Sequence, residues 1–303
     1  MRLRRLIKKN AALALRRHWS RAAAISLITM IFWAITATLE QLAMAAFNVS
    51  SFVNRAVSGL MLDNLPNTAP AAMAVIGFIG LLSFLVIVPL SYGTARWFYN
   101  ITDGKALATI DIFEYFFSVG GYFRSLWLSV LIFLKKLFWT AVFILPPAAM
   151  VFGGNYWRQQ ASRNIEMLLS TGLEIFGGVL LLLLGWFWLM WLQRYSMARY
   201  IFVSDDSVTA RQAIKTSVHL THGRLLELLF LDISLLGWRL ADILIVPRLF
   251  TMPYISTVRS LYTRYLSELY ARENLETEQQ EQPSEAPDAE NDEQEETEQQ
   301  NQQ

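Results

Sequence analysis

Apolar positions in this chain are gathered into long runs instead of being spaced along one helical or strand face. A helix needs about 20 mostly apolar residues to cross a hydrocarbon core about 30 Å thick. Four runs reach that length: residues 22–47, 71–92, 126–152 and 173–192. A fifth, 225–246, is long enough but carries Glu227, Asp232, Arg239 and Asp242. A sixth, 250–269, is weaker and contains Arg259 and Arg264. A soluble protein can bury one such helix in its core. Five or six in succession leave no polar faces to cover them, so lipid is the expected solvent. The expected fold is all-α: a polytopic transmembrane helical bundle of about six spans, five of them well marked.

The segments between the runs predict shorter elements. Residues 1–19 set Leu3, Leu6, Ile7 and Leu13 among many cations. They read either as an interfacial helix on anionic lipid or as a plain orientation signal. Residues 111–123, rich in aromatics and ended by Gly120-Gly121, predict a short helix lying at an interface. Residues 205–223 open on Asp and Ser capping residues and stop at Gly223, predicting an amphipathic helix. Residues 273–303, rich in Glu, Gln, Pro and Ser, cannot bury a core and are expected to be disordered. The expected organisation is a basic segment over 1–21, a transmembrane domain over 22–272 and an acidic tail over 273–303. Ala43-Met44-Ala45 has the form of a signal-peptidase site. The apolar stretch before it is longer than usual and Glu40 interrupts the approach, so an uncleaved first span is expected. Asn48-Val49-Ser50 is a glycosylation acceptor only in a glycosylating host.

Composition agrees with a membrane chain. Hydrophobic residues make up 54% of the 303 and charged residues 17%, against about 45–50% and about 25% in soluble domains. The formal charge of +1 is a cancellation: all 26 Lys and Arg precede residue 273, whereas twelve of the 25 Asp and Glu follow Arg272. Residues 1–272 therefore carry a net of +13. Lys and Arg alternate between connections. There are eight in residues 1–21, Arg55 alone in the first connection, and Arg96, Lys105 and Arg124 in the second. Arg158 and Arg163 lie in the third, five fall between Arg194 and Arg224, and Arg248 alone lies in the fifth. Arg259, Arg264 and Arg272 end the series. This predicts a multi-pass protein of the cell membrane with both termini cytoplasmic. The bilayer is the expected partner, with anionic lipid at the basic inner face, and the tail is suited to a protein partner. Nucleic acid is not expected, since no aromatics interleave with basic patches on a soluble surface. The chain has no Cys, which excludes disulfides and thiolate chemistry.

The stretch from Arg194 reads Arg194-Tyr195-Ser196-Met197, then Tyr200-Ile201, Asp205, Ala213-Ile214, Ser217 and Gly223-Arg224. It continues with Leu229-Phe230-Leu231-Asp232-Ile233-Ser234, Gly237-Trp238, Pro253-Tyr254 and Tyr262. Gly104-Lys105, Ile110-Asp111-Ile112-Phe113 and Phe138-Trp139-Thr140 precede it. These residues resemble a bacterial integral-membrane family known as domain of unknown function 975. In that family a Tyr-Ser-Met segment closes a span, a helix follows an Asp, and a Leu-Asp-Leu-Ser-like run ending in Gly-Trp opens the next span. The resemblance covers about residues 90–266. The chain departs from it at Pro146-Pro147, in a long 148–190 region, and in Arg239 and Asp242. The resemblance implies a location and a fold, and no chemistry.

Charges within apolar runs are the candidate functional residues, because an unpaired one costs at least about 2.5–3.5 kcal/mol at mid-bilayer. Asp232, Arg239 and Asp242 are spaced by seven and three, so they share a helix face. Lys135 and Lys136 lie eleven and twelve residues past Arg124, about 17 Å deep at 1.5 Å per residue. A pair with Asp232 is expected at that depth. Three readings stand open: an ion or proton site, a buried pair that fixes helix register, and lysines that snorkel to the interface. His219 and His222 share a face near Glu227, but metal ligation needs more convergent groups. No nucleotide-binding, nucleophile or zinc motif is present, so no cofactor and no enzymatic activity are expected. The first expectation is a non-enzymatic scaffold, partner or envelope-maintenance protein. The alternative is a small-solute, ion or lipid transporter using Lys135, Asp232, Arg239 and Asp242. Gly77, Gly80, Gly177 and Gly178 permit close packing and are compatible with an oligomer.

Overall fold

The computed structural model describes residues 2–46, 69–105 and 108–281. Asn48, Ser50 and Arg55 of the first connection, and residues 282–303 of the acidic end, lie outside them. The chain forms two compact units, residues 1–263 and 264–303. The described residues contain helices and no strands.

Four helices are long and apolar enough to cross a membrane: α2 (Trp19–Ala46), α3 (Ala69–Ile101), α5 (Val119–Gln160) and α6 (Asn164–Leu192). Only 6–17% of the residues in their apolar stretches are buried in the protein. Leu, Ile, Phe and Trp side chains therefore cover their outer surfaces, from Leu27 and Trp33 on α2 to Leu182 and Phe187 on α6. In water that surface would oppose folding; in hydrocarbon it is solvated. α2 pairs with α3, and α5 with α6. The second pair is a tight hairpin. Glu166 accepts hydrogen bonds from the backbone N–H groups of Ser162 and Arg163 at 3.2 and 3.4 Å, which caps α6 just past the turn. Gly154 and Gly177 let the two helices touch: a Cβ on Gly177 would fall 2.8 Å from Met150 Cβ and 3.1 Å from the Pro147 carbonyl. Gly177 thus serves packing within the chain, whereas Gly77, Gly80 and Gly178 face open space.

The start of α2, the end of α3, the start of α5 and the end of α6 share one end of the bundle, and the shorter helices collect there. α1 (Arg2–Leu15) buries Ile7, Ala11 and Leu15, one row at i, i+4 and i+8, and leaves Leu6 and Leu13 exposed on another face. Leu15 joins Ala22, Ile25, Leu90, Trp97, Phe98, Ile101 and Ile112 in the core at this end. A 3₁₀ turn (Thr109–Phe113) and α4 (Glu114–Phe117) cross α3 at Gly93, where a Cβ would sit 1.8 Å from the Ile112 carbonyl oxygen. Ile110, Phe117 and Phe123 point outward from this segment, as expected of an interfacial element. α7 (Ala198–Ser204) buries Ala198, Tyr200, Ile201, Phe202 and Val203 and leaves Arg199 and Ser204 exposed. Arg96 binds Asp206 in bidentate fashion at 2.7 and 2.9 Å and Glu114 at 3.2 Å, tying α3 to both segments. α8 (Ala210–Leu220) is the amphipathic helix expected over 205–223. Its cap is Thr209 with Gln212 reaching back, and Ala210, Ala213, Ile214, Ser217 and Leu220 face inward.

The segment 225–246 differs from the expected fifth span. It forms two short helices, α9 (Leu225–Ser234) and α10 (Leu236–Ala241), and a turn leads into α11 (Ile245–Glu281). α9 is only about 15 Å long. Pairs across these helices run in opposite sense: Asp232 with Arg259, Trp238 with Tyr254 and Asp242 with Thr251. α11 crosses the first half of α2, with Phe250 beside Trp19, Met252 beside Thr29 and Arg248 over the Trp33 ring. Trp33 lies about 21 Å along α2 from Trp19, about half the helix. The chain from 225 to 263 therefore folds back on itself against the first half of α2, between Trp19 and Trp33, as a re-entrant hairpin. Its tip is apolar and open, with Ile243, Leu244, Ile245 and Val246 at 78%, 62%, 73% and 68% exposure. A straight span would carry four charges through hydrocarbon. The hairpin keeps them in the half nearer the polar end, where they find partners. Among the described residues four helices are long and apolar enough to cross a membrane, and the fifth and sixth apolar runs are not among them. α11 continues as helix to Glu281, so residues 273–281 of the expected disordered tail are helical.

Candidate functional site

The charges of the re-entrant hairpin converge on Asp232. Its side chain is 14% exposed. Oδ1 accepts from Arg239 Nη2 at 2.9 Å and from Arg259 Nη2 at 3.0 Å, and Oδ2 accepts from Gln193 Nε2 at 2.8 Å. The three donors come from α10, from α11 and from the turn that ends α6. One carboxylate therefore joins both arms of the hairpin to the fourth span. The i, i+7 spacing of Asp232 and Arg239 puts them on one face even though the helix breaks at Leu235 between them. Arg259 lies in a polar stripe of α11. Thr257, Ser260 and Thr263 there are buried and return their hydroxyls to the carbonyls of Pro253, Ser256 and Arg259. Such a stripe satisfies itself but offers Arg259 no counter-charge, and Asp232 supplies it.

None of the other candidates bonds to this carboxylate among the described residues. Lys135 is exposed on α5 and makes no ion pair among the described residues; Lys136 is half-buried beside it. The expected pairing of Lys135 with Asp232 is not formed: α9 packs on α6 and the 193–195 turn, and Arg239, Arg259 and Gln193 occupy the carboxylate. Asp242 does not pair with Arg239, which turns back to Asp232; its partner is the Thr251 hydroxyl across the hairpin turn. His219 and His222 are exposed. Gln193 and Arg259 are the residues that spacing did not reveal. The signal available was an arginine in the sixth run with no acid within a helical turn.

Further contacts fasten the hairpin to the rest of the polar end. Lys8 Nζ donates to the Ser234 carbonyl at 2.9 Å, the C-terminal end of α9, where a cation is favoured. Burial, reinforced by Arg4, holds the Lys8 amine below its ordinary value. Arg4 sits over the Phe230 ring at 5.3 Å. Tyr262 donates to Glu227 at 3.4 Å, and Thr263 contacts Met197 Sδ at 2.7 Å. On the far side of the platform the Ser207 backbone N–H holds the Asp205 carboxyl below the usual carboxylate range. Burial pushes the Tyr115 phenol up to about 12, against the pull of neighbouring Arg96.

Four long apolar helices, a re-entrant hairpin and a polar helical platform define a multi-pass helical membrane protein. The chain belongs to the family described as "Protein of unknown function (DUF975)", whose profile matches residues 1–270. Comparison with curated proteins and with solved structures returned no match.

Proposed function

We propose that the chain is a non-enzymatic membrane scaffold. Its four spans anchor a helical platform on the cytoplasmic face of the cell membrane, with both termini on that side. The observation that carries this reading is the saturation of Asp232 by Arg239, Arg259 and Gln193. A carboxylate so occupied fixes the relative placement of three elements. A proton- or ion-carrying carboxylate needs an open coordination position, and this one is closed by two guanidinium groups. The outward face of α8, with Arg211, Lys215 and His219 exposed, is the surface offered to a protein partner, and the acidic end is a second.

Two measurements test the reading together. Photo-crosslinking probes at Arg211 and Lys215 in native membranes should capture a reproducible partner that probes at the hairpin tip, at Ile243, do not capture. Proteoliposomes containing the purified chain should show no ion flux above empty vesicles. A flux that Asp232→Asn abolishes while the protein remains folded would establish transport and overturn the scaffold reading.

A further inference from the structure

A cavity of about 170 Å³ opens between the re-entrant hairpin and the first pair of spans. Its polar lining includes Arg199, Arg248, Tyr200 and Ser256; Trp33 and Ile87 belong to its apolar wall. Neither arginine is ion-paired with a carboxylate within the described residues; Arg199 lies over the Tyr92 ring and bonds its phenol oxygen, and Arg248 lies over the Trp33 ring. No Asp or Glu lines the cavity. Asp242 is close enough to feel Arg248, but it stands outside the lining and is taken by the Thr251 hydroxyl. The hydroxyls of Tyr200 and Ser256 donate to no other described group. The cavity thus holds two guanidinium groups and several hydroxyls with no carboxylate in the lining.

Its depth matters as much as its charge. Arg96 meets Asp206 and Glu114 at the polar end of α3. Ile87 lies nine residues before it, about 14 Å deeper. The cavity therefore extends from the polar boundary into the apolar half-layer beside it, where a phospholipid carries its phosphate above its acyl chains. Arginine forks bind phosphate oxygens in bidentate fashion, and neither guanidinium group here is matched by a carboxylate of the lining. The apolar wall formed by Trp33 and Ile87 suits the first carbons of an acyl chain.

We propose that this cavity binds a phosphate-bearing anion, the phosphodiester headgroup of an anionic phospholipid. The two arginines hold the phosphate, Tyr200 and Ser256 donate to its remaining oxygens, and the chains leave along α2 and α3. This goes beyond the scaffold reading and does not depend on it: lipid binding here and partner capture at α8 are read by separate experiments.

The test is lipid retention by the full chain purified from membranes into detergent. Native mass spectra recorded with added phosphatidylglycerol or phosphatidylcholine should show one phosphatidylglycerol retained at energies that strip phosphatidylcholine. In Arg199→Gln/Arg248→Gln that preference should fall by at least about tenfold, since each charge-assisted hydrogen bond removed accounts for about that factor. Arg248→Gln alone, a milder change, should lose part of the preference and keep the wild-type circular dichroism. Arg211→Gln on α8 should leave it unchanged. Inorganic phosphate at millimolar concentration should not displace the lipid. Equal retention of the two lipids by the wild type, or an undiminished preference in folded Arg248→Gln and the double variant, would overturn the site. Binding of inorganic phosphate with no lipid retained would overturn the lipid as its source.

Discussion

Removing the Asp232 carboxylate should loosen the re-entrant hairpin by a calculable amount. Asp232→Ala leaves the Arg239 and Arg259 guanidinium groups side by side with no counter-charge and strands the Gln193 amide. Breaking a fully buried pair in this way costs about 3–5 kcal/mol, and an exposed pair about 0–1. Asp232 is 14% exposed, but Arg239 and Arg259 are 38% and 30% exposed, so water recovers part of the loss. The expected cost is about 2–3 kcal/mol. For a chain of this size that lowers the apparent melting midpoint by about 4–10 °C. Arg259→Ala leaves Asp232 with Arg239 and Gln193 and should cost about 1–2 kcal/mol. The double variant should then be more stable than additivity predicts, with a coupling of about 1–2 kcal/mol. Midpoints are read from tryptophan fluorescence of the detergent-solubilised protein, with trypsin cleavage at Arg248 reporting opening of the hairpin. A cost below about 0.5 kcal/mol for Asp232→Ala, or strict additivity with Arg259→Ala, would refute the role assigned to this carboxylate.

Other parts of the structure make independent predictions. Gly93→Ala drives a Cβ to within 1.8 Å of the Ile112 carbonyl oxygen; the 3₁₀ turn must move, and a loss of about 1–3 kcal/mol is expected in the same melting assay. Gly178→Ala, with open space around it, should be silent, which makes the pair a test of position. Thr209→Ala removes the α8 cap and should cost about 1 kcal/mol, read as faster trypsin cleavage at Arg211. Tyr115 is held neutral by burial, with its phenol pushed up to about 12. Its contribution is complete below the unfolded value of about 10 and is lost as pH rises from there toward 12. Alkaline unfolding should therefore begin above pH 10 and be shallower in Tyr115→Phe.

The four clean spans were legible because length and apolarity are one-dimensional properties, and lipid imposes a minimum run. The amphipathic segments at 1–15, 109–117 and 210–220 were legible for a related reason: charge, aromatics and capping residues mark a helix that meets both water and an apolar surface. The fifth and sixth runs were misleading as spans. Their apolar count satisfies the length rule, and only their charges signal that the chain turns back at 242–244. The partners of Asp232 were half legible. Arg239 follows from a seven-residue spacing, but Arg259 and Gln193 lie 27 and 39 residues away in sequence. They become neighbours only once the hairpin is folded against α6. Lys135 does not reach Asp232, because equal depth along the membrane normal is not nearness: a helix also has a facing direction, and Lys135 faces outward. Gly177 shows the same limit: a glycine in a span permits close packing, but the sequence does not say whether the neighbour is another helix of the same chain.

The re-entrant hairpin is the feature on which span number, topology and both candidate sites depend, and one labelling experiment addresses it directly. The chain has no cysteine, so single-cysteine variants need no background removal. Ser207→Cys marks the platform side, Gln160→Cys the tip of the α5–α6 hairpin, and Leu244→Cys the tip of the re-entrant hairpin. With a membrane-impermeant maleimide applied to sealed vesicles of each orientation, Gln160→Cys and Ser207→Cys should label from opposite sides. Leu244→Cys should resist labelling from the side that labels Gln160→Cys and react with a lipid-soluble maleimide. Labelling of Leu244→Cys together with Gln160→Cys from that far side would mean that 225–246 crosses the membrane, and would contradict the four-span account.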